Sequence, residues 1–277
     1  MSGIGGLVLD VAIIPNEGAQ VFAGVGIPGG VDDVRAITNI PGGFVAQLAS
    51  GNGLVWSDGP GPREVHFLAA PVGDSGRDLF YKVTPSGVAC ASCHPEGGDD
   101  GRTWHFDPQG ARRTKSLVGG VLHRAPFHWD GAAPDFTTLM SDVFVGRMGG
   151  TMPDAATLGA LGAWLDTLPA PRASPPADDA AVARGRALFV DPQGAGCVTC
   201  HAGPHYTLPD LADVGTGGRF RIPSLVGLWA RPPYLHDGRA ATLADRFAPS
   251  GGGDLHGRTS QLSPAQLGDL VAFLATL

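Results

Sequence analysis

The chain has 277 residues, of which 43 are glycine, 24 proline and only 16% charged, so it has length for two or three domains built from short helices and abundant loops. Its formal net charge of −7 argues against nucleic acid as a partner. No apolar run is long enough to span a membrane, and Met1-Ser2-Gly3 opens neither a basic n-region nor a signal-peptide core.

Residues 1–70 read as a β-rich segment. Leu7, Leu9, Val11 and Ile13 alternate with their neighbours, Pro15-Asn16-Glu17-Gly18 reads as a turn, and Val21, Ala23 and Val25 follow, which is a hairpin pattern. Ile37–Ile40, Phe44–Leu48 and Leu54–Trp56 are further short strands, split by Pro41-Gly42-Gly43 and Gly51-Asn52-Gly53. A few short strands without a helix resemble the last blade of a β-propeller, or a small sandwich cut short, whose open edges need neighbours to cover them. The segment holds no chemical motif, and its expected role is structural.

From residue 74 the pattern becomes helical and occurs twice. Gly76-Arg77-Asp78-Leu79-Phe80 precedes Cys90-Ala91-Ser92-Cys93-His94, and Gly185-Arg186-Ala187-Leu188-Phe189 precedes Cys197-Val198-Thr199-Cys200-His201. Both five-residue motifs read C-x-x-C-H, the attachment signature of a c-type haem. Two thiols three residues apart reach the two vinyl groups of one porphyrin, and the histidine that follows supplies the proximal ligand to iron. A single copy would leave open a redox dithiol or half of a zinc site. Two copies, each with its histidine, favour haem, and these four cysteines are all the chain has.

The repeat continues beyond the cysteines. Arg113-Thr114-Lys115-Ser116-Leu117-Val118-Gly119 parallels Arg221-Ile222-Pro223-Ser224-Leu225-Val226-Gly227, and Ala125-Pro126-Phe127-His128-Trp129-Asp130-Gly131 parallels Pro232-Pro233-Tyr234-Leu235-His236-Asp237-Gly238. Each half closes on an amphipathic helix. Leu158, Leu161, Leu165 and Leu168 mark the first; Leu267, Leu270, Val271 and Leu274 mark the second, with Ser263-Pro264-Ala265-Gln266 as its N-cap, N1 proline and capping-box glutamine. Asp178 or Asp179 caps the helix that opens the second half. The expected fold is mainly α. It comprises two tandem cytochrome c domains, residues 74–168 and 178–277, each with one haem, joined by a stiff Pro-rich linker at 169–177 and preceded by the β-rich segment.

The stretch from Phe220 to Gly238, continued by Arg239-Ala240-Ala241-Thr242-Leu243, resembles the di-haem bacterial cytochrome c peroxidase family, which includes the methylamine-utilisation di-haem oxidase. With the two haem motifs and the paired segments, the resemblance covers about residues 74–277. It implies two facing α-helical domains, one haem for peroxide chemistry and the other an electron relay. Trp129 matches the family tryptophan between the haems, where an indole shortens the tunnelling gap. His105 falls where peroxidase members have a displaceable distal histidine. The family glutamate that precedes a Met-Gly pair is absent: the pair is Met148-Gly149 and the residue before it is Arg147. A carboxylate there exchanges protons with peroxide, whereas a guanidinium stays charged and can only polarise, stabilise an anion or pair with a propionate. Arg113 also stands where the family's interdomain calcium site has an asparagine, so calcium is doubtful.

The sixth iron ligands decide between electron transfer and peroxide binding. All methionines lie at or before residue 152, so the second haem has none in its own half. The family draws that ligand from the stretch after His-Asp-Gly, here Asp254-Leu255-His256-Gly257-Arg258, and His256 is expected to take it. His236 has a structural place beside the Asp-Gly turn. For the first haem, His105, Met148 and Met152 are all candidates, Thr151-Met152-Pro153 resembling a cytochrome c Met-Pro ligand motif. His66, His123, His128 and His205 read as surface or packing residues, with His128 beside Trp129 the least certain of them.

The leading expectation is a peroxide-using di-haem oxidoreductase with hydrogen peroxide as oxidant and a redox protein or small donor as partner. The alternative is a di-haem electron carrier without turnover, and a third reading has the haem domains capping a propeller-like binding module. Thioether attachment occurs outside the bacterial cytoplasm, so a periplasmic or exported protein is expected. The β-rich start favours the chain's being the C-terminal part of a longer one.

Overall fold

A computed structural model describes residues 6–8, 11–14, 18–21, 25–27, 34–41, 43–48, 53–57, 64–67 and 74–277. The chain divides into two compact units, Met1–Gly73 and Asp74–Leu277. In the first, strands β1 (Gly6–Val8) and β4 (Val25–Ile27) pair antiparallel around a second pair, β2 (Val11–Ile14) with β3 (Gly18–Val21). The hairpin read from the alternation is this inner pair, with Ile14 opposite Gly18. Leu9, Ala23 and the turn at residues 15–17 lie outside the described residues. The strands β5 (Val34–Ile40), β6 (Gly43–Leu48), β7 (Gly53–Ser57) and β8 (Glu64–Phe67) form a four-stranded antiparallel meander in chain order. The last of these was not read from the sequence.

The second unit is helix-rich with few strands. Helix α1 (Ser75–Tyr81) starts on Asp74, whose carboxylate accepts from the amides of Gly76 and Arg77 at 3.0 and 3.1 Å. A single turn, α2 (Cys90–Cys93), holds the first cysteine pair. The hairpin of β9 (Thr103–Phe106) and β10 (Gly110–Arg113) follows. Next come α3 (Phe136–Met140), a π-helical stretch at Ser141–Arg147 that prolongs it, and α4 (Ala155–Thr167), capped by Asp154. Residues 169–177 run without regular structure, and the Pro171 carbonyl accepts from Trp229 Nε1 at 3.2 Å. The order then repeats: α5 (Asp179–Val190) capped by Asp178, a 3-10 turn at Cys197–Thr199, the hairpin of β11 (Leu211–Asp213) and β12 (Arg219–Arg221), and α6 (Pro264–Leu274). The α6 capping box forms as the sequence implies, with Ser263 N donating to Gln266 Oε1 at 2.9 Å.

In each half the opening and closing helices cross, α1 on α4 and α5 on α6. The crossing falls on a glycine both times. A Cβ on Gly76 would run into the backbone of Ala160 and Leu161, and one on Gly185 into the Asp269 carbonyl and the Phe273 side chain. Beside these contacts sit the equivalent aromatics Phe80 and Phe189, each 1% exposed. Phe80 packs with Leu161, Leu165, Phe127, Phe144 and Met148, and Phe189 with Leu225, Leu270, Phe273 and Leu274. Because backbone, unlike a flexible side chain, cannot give way, Gly76→Ala and Gly185→Ala are each expected to cost about 3 kcal/mol. Denaturant melts read this directly, with Gly159→Ala inside α4 as the control, where a Cβ meets open space and the change should stabilise by about 1 kcal/mol.

Candidate haem sites

Each C-x-x-C-H motif folds as one tight turn, with the histidine amide closing back on the first cysteine carbonyl: His94 N to Cys90 O at 3.0 Å and His201 N to Cys197 O at 2.8 Å. The four cysteines are free thiols. Burial pushes the Cys90 thiol up to about 11 and raises those of Cys93 and Cys197. A redox dithiol needs the opposite shift, a lowered thiol. Among the described residues no three His, Cys, Asp or Glu side chains converge as a metal cage. A macrocycle that brings its own four equatorial donors needs none.

The imidazoles are set up as ligands by what holds their other nitrogen. His94 Nδ1 lies 3.2 Å from the Gly98 carbonyl, His201 Nδ1 3.0 Å from that of Tyr206, and His256 Nδ1 3.3 Å from that of Gly251. A carbonyl only accepts, so each Nδ1 donates and Nε2 keeps its lone pair, the tautomer a metal needs. Burial keeps all three neutral: it lowers His94, takes His201 to about 4, and takes His256 to about 3 with the Arg246 charge adding to the effect.

The rings of His201 and His256 lie with centres 6.5 Å apart and planes tilted by 34°. Two imidazoles bound through Nε2 on opposite sides of one metal, with bonds of about 2.0–2.1 Å, have ring centres roughly 6.4 Å apart. Both histidines line a cavity of about 480 Å³, with Cys197 and Cys200, walled by Phe189, Leu225 and Phe247. That size and apolar lining are ordinary for a cofactor pocket. Arg246 also lines it, and its buried Nη1 has no hydrogen-bond partner among the described residues. A buried unpaired guanidinium N–H is costly, and a carboxylate at the edge of a porphyrin would satisfy it. The residues present therefore fit a haem.

The first site is different. Cys90 and Ala91 pack against the core that contains Phe80, Phe127, Met140, Phe144 and Met148. Of the three candidate sixth ligands, Met148 is in that core, 8% exposed. Met152 is 37% exposed, and the His105 side chain is 72% exposed on β9, 3.5 Å from Asp107. Arg147 ends the π-helical stretch, its guanidinium 5.0 Å from the Phe106 ring centre. His128, read from the sequence as a surface or packing residue and the least certain of those, has a buried Nε2 without a partner among the described residues and a left-handed backbone at φ 65°. Burial lowers its imidazole first, and the Arg147 charge lowers it further. Strained backbone and unpaired buried nitrogens of this kind concentrate at functional sites.

Trp129 belongs to the first half yet lines the cavity of the second. Its Nε1 donates to the Arg113 carbonyl at 2.7 Å, and its ring meets His236 edge-on at 6.3 Å. His236, buried as expected of a structural residue, stacks on Phe220 at 3.8 Å. Lys115 was missed in the sequence. Its ammonium donates to the His128 carbonyl at 2.8 Å and lies 4.4 Å over the Trp129 ring, a cation–π contact. Burial, with repulsion from Arg221, pushes Lys115 down to about 7. The signal was in the repeat, where Lys115 stands opposite Pro223.

The fold and the paired C-x-x-C-H motifs together are those of a chain that carries two c-type haems. No family model matches the chain. The gamma subunit of hydrazine synthase from Kuenenia stuttgartiensis is 28% identical over 256 residues, 68% of this chain and 72% of that one. The methylamine utilization protein MauG of Methylorubrum extorquens is 28% identical over 273 residues, 73% of this chain and 76% of that one. The cytochrome-c peroxidase IdrP1 of Denitromonas iodatirespirans is 32% identical over 149 residues, 34% and 39%. The solved hydrazine synthase of K. stuttgartiensis superposes with a TM-score of 0.65 at 25% identity, covering 73% of this chain and 86% of that one. The chain is a relative of the di-haem cytochrome c peroxidases and of MauG, and its cofactors are two c-type haems. Among the described residues no helix is long and apolar enough to cross a membrane.

Proposed function

We propose that residues 74–168 and 178–277 are two cytochrome c domains, linked by 169–177, that pass electrons from a donor protein through the second site to hydrogen peroxide at the first. Cys90, Cys93 and His94 hold one haem, and Cys197, Cys200 and His201 the other. When bound, they supply one-electron chemistry and, where the sixth position is accessible, a place for peroxide. The observation that supports this assignment is the asymmetry of the sites. The second has a pair of imidazoles, His201 and His256, each anchored through Nδ1, which would together hold a haem and close it to exogenous ligands, as suits a relay. Among the described residues the first has His94 alone so anchored.

Reduction of one peroxide takes two electrons and two protons and yields two waters. Trp129, reaching from the first half into the second cavity, shortens the path for the electrons. Arg147 cannot accept a proton, but His128 Nε2 can. It takes the proton of the attacking oxygen and returns it to the leaving oxygen, while the Arg147 charge favours departure of that oxygen. His105 remains a surface histidine in this reading, and Met152 a surface methionine. A net charge of −7 suits a basic one-electron donor. Export follows from thioether attachment. Residues 1–70 are a structural segment; the β5–β8 meander supports its likeness to a propeller blade.

A second reading is favoured by the burial of Met148 in the core against which Cys90 packs. Were its sulfur the sixth ligand of the first haem, both centres would be closed and the protein an electron carrier. Optical spectra of the oxidised and half-reduced protein separate the two. The peroxidase shows one low-spin haem indifferent to peroxide and one centre that responds to it, with two electrons consumed from a reduced donor per peroxide. Two low-spin haems inert to peroxide would leave the carrier.

A further inference from the structure

We infer that the junction between the two haem-bearing halves carries its own internal cation, the Arg113 guanidinium, and takes no calcium. Arg113 Nη2 donates to Asp99 Oδ1 at 2.7 Å and to two carbonyls of the other half, Arg231 O at 2.9 Å and Pro232 O at 3.1 Å. A carboxylate and carbonyls converging from separate segments are the kinds of ligand a hard divalent cation takes, and here they converge on a side-chain nitrogen. The Arg113 and Asp99 side chains are 6% and 5% exposed, so the cage is closed to water. A calcium ion placed among the same oxygens would displace or repel the guanidinium.

The other half mirrors the arrangement. Arg221, which stands opposite Arg113 in the repeat, donates from Nη2 to Arg124 O at 3.1 Å and Ala125 O at 3.4 Å across the same junction. The backbones interlock in the same sense: Arg113 N donates to His236 O and Arg221 N to Trp129 O, both at 2.7 Å. With Trp129 Nε1 also bonded to the Arg113 carbonyl, the residue between the two sites is positioned by arginines and needs no metal to hold it. This inference concerns the junction and stands whichever redox reading of the sites is right.

The test is made on the holoprotein. Exhaustive dialysis against EGTA should leave two irons and no calcium per chain, with a melting temperature unchanged by chelator or by millimolar calcium. Arg113→Asn empties the cage. It is expected to melt lower in EGTA and to recover roughly 5 °C on adding calcium, whereas Arg113→Lys, which keeps a cation there, should melt independently of calcium. Retention of stoichiometric calcium by the wild type, or a wild-type melting temperature that falls in EGTA and returns with calcium, overturns the inference. An Arg113→Asn protein stable but blind to calcium also overturns it. Should that variant fail to fold, the wild-type comparison decides alone.

Discussion

Replacing His256 by alanine is expected to turn the second haem from low-spin to high-spin or water-ligated, to raise its reduction potential and to open it to exogenous ligands. The effect is large because axial ligand identity sets spin state and is a main lever on potential. The imidazole is poised for that role. Its Nδ1 is tied to the Gly251 carbonyl, burial keeps it unprotonated at neutral pH, and its ring centre is 6.5 Å from that of His201 across the cavity. Truncation leaves a hole of imidazole shape, so free imidazole in the buffer should restore the low-spin spectrum of His256→Ala. His123→Ala, at an exposed ring that does not line the cavity, is the control and should change nothing. A low-spin signature that survives His256→Ala, with no response to imidazole, removes His256 from the iron and with it the closed relay.

What the sequence disclosed was local. The two C-x-x-C-H turns, the Asp178 cap and the Ser263–Gln266 capping box each depend on residues within five positions of one another, so spacing alone identifies them. What it concealed was assembled from afar. Trp129 and His236 occupy the same place in the repeat, but only the fold brings them within 6.3 Å across the junction. Arg113 could be seen to break an expected metal site, but not to fill it, because the two carbonyls that receive its guanidinium lie 118 and 119 residues away. Lys115 and Arg246 are not singled out by the sequence. Charge in a sequence carries no sign of burial, and it takes the indole over one and the cavity around the other to reveal them. The hairpins β9–β10 and β11–β12 were missed because each strand is three or four residues long, too short for an alternation to register.

His128→Leu is expected to slow the reaction with peroxide on the order of 10²-fold while leaving the resting spectra of both haems unchanged. The chemical need comes from Arg147. Heterolysis of an O–O bond moves a proton from one oxygen to the other, and a guanidinium at the position of the family glutamate is saturated with protons at every working pH. Within this chain the group that answers the need is a neutral imidazole whose Nε2 is buried, unpaired among the described residues and close enough to feel the Arg147 charge. Its backbone is left-handed, and the Lys115 ammonium donates to its carbonyl. Cyanide gives a readout apart from turnover, since HCN must also surrender its proton on binding. Its association with the first haem should slow in His128→Leu and recover partly in His128→Gln only if polarity, and not proton transfer, is what matters. Three outcomes are distinct. If the wild type ignores peroxide, the peroxidase reading fails and the carrier stands. If His128→Leu alters the resting spectrum of the first haem, His128 is a ligand and not an acid–base group. If the wild type reacts and the variant reacts as fast, proton transfer at the first site belongs to another group, and Arg147 is left as a charge without a partner.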